Sequence, residues 1–241
     1  MNESLLWRTA TRFHDWSNGE FLATLFGHAW GLGIIERVDW LTNASGEDRQ
    51  PVAIDSPKAF SATLIERLCK APEPSHFVAG GQGALSWTLN LLIPAFDPLE
   101  QRVDGISIAA LVFDGERFAD HQQSASLARA FRAVHGPDST EYAGIHWYER
   151  WTDLSDSVYS PAVTYTPMFC GVMWANFLGP GHIEQFDRAM LTSSLPSQNC
   201  TWIDDRGLFL IAPASLAEIK APDAEARLFA LTDIFRAARR A

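Results

Sequence analysis

Leu85-Ser86-Trp87-Thr88-Leu89-Asn90-Leu91-Leu92-Ile93, followed by Ile106-Ser107-Ile108-Ala109-Ala110-Leu111-Val112-Phe113, is the stretch that decides the fold class. In the first run Leu85, Trp87, Leu89, Leu91 and Ile93 hold the odd positions, and Ser86, Thr88 and Asn90 alternate with them. That period of two belongs to a half-buried strand, and Pro94 closes it. The second run is apolar on both alternate sets, as a central strand is, and Asp114-Gly115 is a turn signal beyond it. Asp120 and Gln123 then resemble a capping box, and Leu127, Phe131 and Val134 line a helix that stops at Gly136-Pro137.

Working outward, Asp55 or Ser56 caps a helix from Pro57 to Lys70 in which Phe60, Leu64 and Leu68 share a face. Downstream, Ile145, Trp147 and Trp151 have the parity of a strand. Phe169 to Leu178 reads as another, stopped by Gly179-Pro180-Gly181, and Ile183, Phe186 and Met190 mark one short helix. Leu208 to Ile211 is a further strand. A helix follows from about Pro222, with Ala224, Leu228, Leu231 and Phe235 in one stripe and Arg236, Arg239 and Arg240 at the favourable end of its dipole. The order predicts an α+β fold: an antiparallel or mixed sheet with flanking helices, built on a repeated strand-strand-helix unit. A single domain of residues 1–241 is expected, any division into lobes falling near 1–137 and 138–241.

With 241 residues, 47% hydrophobic and 12% aromatic, and a mean hydropathy of −0.06, the chain is globular rather than disordered or collagen-like. A net charge of −10 disfavours nucleic acid and anionic lipid as partners. Cys69, Cys170 and Cys200 contain no CxxC pair and leave one cysteine over, which fits a reducing cytosol. No basic n-region opens the sequence. The apolar stretch from Phe21 to Ile35, interrupted by glycines and His28, is shorter than the ~20 residues of a membrane span. Cytoplasmic location without membrane contact is the expectation, and the sequons at Asn43 and Asn199 then have no glycosylation role.

Catalytic signatures are sparse. The seven histidines form no HExxH or zinc-spaced pair, so neither a metal nor another cofactor is expected. Gly105-Ile106-Ser107-Ile108-Ala109 partly matches a nucleophile elbow, yet it begins a strand where that motif needs a strand-turn-helix. Gly80-Gly81-Gln82-Gly83 lacks the Lys-Ser/Thr of a phosphate loop and reads as a loop leading into a strand. Charge says more: residues 138–225 carry twelve acidic and four basic side chains, net −8, against −5 for 1–137 and +3 for 226–241. Trp151, Asp153, Asp156 and Tyr159 lie within that segment. Acids beside aromatics combine electrostatic steering with anchor contacts, which suits a basic protein partner.

Trp147-Tyr148-Glu149-Arg150-Trp151, Tyr165-Thr166-Pro167-Met168-Phe169-Cys170-Gly171-Val172-Met173-Trp174, Asn176-Phe177-Leu178-Gly179 and Asp204-Asp205-Arg206-Gly207-Leu208-Phe209-Leu210-Ile211 together resemble the immunity protein 52 family of bacterial polymorphic-toxin and type VI secretion systems. The resemblance covers residues 145 to 240; the first half is similar in layout only. It implies a non-catalytic protein that binds and neutralises a cognate toxin, often a nuclease, whose basic cleft an acidic face could occupy. Trp151, Asp153, Asp156, Tyr159, Asp204 and Asp205 are the residues expected at that interface. Two alternatives stand beside it: a small hydrolase-like enzyme with His121, His146 and Asp204 between lobes, and an effector chaperone or adaptor.

Overall fold

A computed structural model of the chain describes residues 3–12, 19–43, 49–70, 75–83, 87–93, 106–148 and 171–240. Ten strands and six α-helices occur among them, and the strand pairs with defined register are antiparallel, so the fold is α+β. Strand β1 (Ser4–Arg12) carries the chain out of one compact unit, Met1–Trp7 with Gly115–Ala241, into a second, Arg8–Asp114. The lobe boundary expected near residue 137 lies inside the first of these units.

In the continuous unit, Arg8–Asp114, helix α1 (Glu20–Gly31) precedes β2 (Arg37–Asn43) and β3 (Gln50–Ile54). Helix α2 (Pro57–Lys70), β4 (Ser75–Gln82), β5 (Trp87–Ile93) and β6 (Ile106–Asp114) follow, and the strands run in the order β3-β2-β4-β5-β6. The period of two in β5 is what the structure shows: Trp87, Leu89 and Leu91 are buried and Thr88 and Asn90 half-buried. Phe60 of α2 lies 4.5 Å, ring to ring, from Phe26 of α1 and 6.5 Å from Trp87 of β5, tying both helices to the sheet through one side chain.

The Gly80-Gly81-Gln82 run is not a loop; it is the end of β4, paired with β2 and β5. A Cβ at Gly80 would stand 2.5 Å from the Trp40 ring, and one at Gly81 would collide with the Arg37 carbonyl oxygen. The glycines are there because a neighbouring ring and a neighbouring backbone come too close for any side chain.

In the discontinuous unit, helix α3 (His121–Val134) is followed by β7 (Tyr142–Trp147), β8 (Ala175–Leu178), α4 (Pro180–Ile183) and α5 (Arg188–Ser194). Then come β9 (Cys200–Ile203), β10 (Gly207–Ile211) and α6 (Pro222–Ala237). The strand order is β7-β8-β10-β9. The Asp120 side chain caps α3 by accepting from the Gln123 amide at 2.8 Å, as its sequence predicts. The core gathers around Phe131, with Trp7 at 6.0 Å, His135 at 4.7 Å and Phe209 at 5.9 Å between ring centroids.

Three expectations change here. The strand predicted over 169–178 is reduced to Ala175–Leu178 among the described residues, because the amides before it bond elsewhere: Val172 N–H donates to Thr232 Oγ1 at 2.9 Å and Met173 N–H to Asn176 Oδ1 at 3.1 Å. The single helix through Ile183, Phe186 and Met190 is two. Asp187 starts the second by accepting from the Met190 amide at 3.0 Å, while Phe186 leaves the helical path to bridge Arg239. The strand-strand-helix repeat is a pattern of sequence and not of packing, since β5 and β6 belong to one unit and α3 to the other.

Candidate functional site

Of the six residues expected to contact a toxin, Trp151, Asp153, Asp156 and Tyr159 lie outside the described residues. Asp204 and Asp205 sit together in the exposed turn between β9 and β10, where Asp204 takes a left-handed backbone with φ of 50°, a conformation aspartate tolerates. The acidity of this turn is largely matched. Arg188 of α5 pairs with Asp205, donates to the Asp204 carbonyl oxygen at 3.2 Å and lies 4.9 Å over the Trp202 ring. Arg206 pairs with Asp138 at 2.6 Å. Such exposed pairs are worth at most about 1 kcal/mol each, so they order the turn more than they stabilise the fold.

The other residues considered for chemistry are dispersed. His146 is buried within β7, and His121 is exposed at the start of α3, 3.3 Å from Glu218. Ser107 lies in β6, as its strand reading requires. Burial raises the Cys200 thiol to about 11, which keeps it protonated and a poor nucleophile. Among the described residues no cluster of three or more His, Cys, Asp and Glu is arranged to hold a metal ion.

One concavity among the described residues was not anticipated from the sequence. It is a half-open groove of about 850 Å³ in the discontinuous unit, walled by α6, by Ala212-Pro213-Ala214 beyond β10, and by Pro196, Gln198 and Asn199 before β9. Local bonds fix the wall at 212–214 and the turn that leads into α6. Trp174 donates its indole N–H to the Ala214 carbonyl at 2.9 Å, and its own carbonyl accepts from Ala212 N–H at 2.8 Å. Ser215 and Glu218 form a capping box: Ser215 N–H donates to Glu218 Oε2 at 2.7 Å, and Glu218 N–H donates to Ser215 Oγ at 3.3 Å. That box opens the 3-10 turn Glu218–Lys220, beneath which Trp147 donates to the Leu216 carbonyl at 3.0 Å. Pro222 then starts α6, its missing N–H costing nothing at a first-turn position.

Helix α6 divides its surface between two tasks. Ala224, Leu228, Thr232 and Phe235 are buried, Ala224 and Leu228 also reaching the groove, and Asp223, Arg227, Leu231 and Ile234 line it on the adjoining flank. The sequence stripe placed Leu231 in the core; it is half-exposed in the groove, and Thr232 takes the core position because its hydroxyl accepts from Val172 N–H and donates to the Leu228 carbonyl. At one end, the amide of Ser215, more than His121 beside it, holds the Glu218 carboxyl below the usual carboxylate range, so that acid stays ionised at neutral pH. The groove thus has Glu218 in the 3-10 turn and Asp223 in the first turn of α6, then Arg227, then apolar Leu231 and Ile234. Such a surface binds by area and charge register.

No protein-family model and no curated protein matches the chain, so the likeness to the immunity protein 52 family rests on the motifs quoted above. Among solved structures, the chain is similar to the Pseudomonas aeruginosa T6SS protein PA0821. Identity is 15%, the TM-score is 0.61, and the match covers 98% of this chain and 73% of that one. The two share a fold. No helix among the described residues is long and apolar enough to cross a membrane.

Proposed function

We propose that this chain is a T6SS-associated binding protein of the immunity type, which neutralises a cognate antibacterial toxin by covering its functional surface and carries out no chemistry of its own. The observation that carries the reading is the likeness of fold to a T6SS protein along nearly the whole chain. The motifs of residues 145 to 240 and the net charge of −10 support it, since a negative field steers the chain towards the basic cleft of a nuclease-type effector. The proposed site of action is the cytoplasm of the producing cell.

The test is protection. The product of the neighbouring reading frame is expressed inducibly in a sensitive bacterium with and without this chain. Restored growth is expected when both are present; equal killing in the two strains would refute the proposal.

A further inference from the structure

Resting on that reading, we propose that the groove along α6 is the docking site for one amphipathic helix of the partner protein, about three turns long. Length comes first: Asp223 to Ile234 is twelve residues, a rise of about 16 Å along the helix. Charge register comes next. Glu218, in the 3-10 turn before α6 and 3.3 Å from His121, and Asp223, in the first turn of α6, both line the groove; Arg227 is one turn further on, and Leu231 and Ile234 continue along the helix. Asp223 and Arg227 are exposed, and among the described residues neither is held in an ion pair. The complementary helix places a basic side chain against Glu218 and Asp223, an acidic one against Arg227, and apolar residues at i, i+3 or i+4, and i+7 over Leu231 and Ile234.

The walls favour such an occupant. Pro196 and Pro213 are stiff, and the Trp174 bonds at Ala212 and Ala214 hold the second wall in place, so little ordering is needed on binding. A half-open groove leaves the outer face of a helix in solvent, where its polar residues belong.

The experiment measures binding of the purified neighbouring product to the full chain by calorimetry, using wild type, Leu231→Glu, and the exchange Asp223→Lys with Arg227→Glu. Lys58→Ala, at an exposed position of α2, is the surface control, and thermal melts confirm that each variant is folded. A loss of at least tenfold is expected for Leu231→Glu. The exchange is expected to lose about threefold to tenfold, and the control to stay within twofold. If wild type and both groove variants bind within twofold of one another, the groove proposal is overturned while the binding function stands. If wild type does not bind, both fall. A dimer of the isolated chain that Leu231→Glu dissociates, or tight laurate binding abolished by Leu231→Glu while the protein complex survives, would assign the groove to another occupant and also overturn the proposal.

Discussion

Lowering the pH from 8 to 5 should destabilise the discontinuous unit, and two buried histidines set the size of the effect. His135 is buried against Phe131, accepts the Trp7 indole N–H on Nε2 at 3.0 Å, and is 3.2 Å from Thr140 Oγ1 on Nδ1. Burial lowers its pKa from 6.5 to about 3. His182, stacked on Tyr142 at 5.2 Å, is lowered to about 4 by burial, with a backbone hydrogen bond to Glu141 opposing. An unfolded histidine takes up its proton near 6.5, whereas these two resist it until far lower pH. Between those values the unfolded chain binds more protons, so stability is full above about pH 6.5 and falls as pH drops. At pH 5 each histidine costs about 2 kcal/mol relative to pH 8, roughly 4 kcal/mol together. For a chain of this size that corresponds to a fall in Tm of about 10 °C. Urea unfolding followed by tryptophan fluorescence at both pH values measures it, with His135→Gln and His182→Asn as controls. The expected result is a large difference in wild type that shrinks in the variants; a wild-type midpoint that does not move between pH 8 and pH 5 would refute the reasoning.

Gly179→Ala should cost about 1–3 kcal/mol, because the added Cβ would collide with the Thr140 carbonyl oxygen and stand 2.9 Å from that of Glu141. Gly136→Ala, with nothing within 4 Å of the new carbon, should melt within 2 °C of wild type by the ~0.5 kcal/mol rule for surface changes. Thr232→Val keeps the volume and deletes the hydroxyl that accepts from Val172 N–H, so denaturant unfolding should show a loss of about 1–3 kcal/mol.

Where side-chain period and backbone demand agree, the sequence is readable: Trp87, Leu89 and Leu91 alternate inward in β5, and Asp120 caps α3. It misleads where one residue answers to a distant one. Gly80 and Gly81 look like a loop until Trp40 and Arg37 are brought alongside, and Val172 and Met173 look like strand until Thr232 and Asn176 claim their amides. The groove is harder still, since its walls come from 196–199, 212–214 and 218–234 and no local pattern unites them. Leu231 and Ile234, beside a core stripe already complete with Thr232, were the available signal. Asp204 and Asp205 were readable as an acidic turn, but the matching Arg188 lies on a helix before β9.

The account turns on stoichiometric binding, and its most direct measurement is titration of the purified chain into the product of the neighbouring reading frame at two salt concentrations. One chain per partner, with the partner's toxic activity lost at equivalence and affinity weakening as salt rises, is the predicted result. Absence of a complex, with the partner's activity unchanged at excess chain, would contradict it.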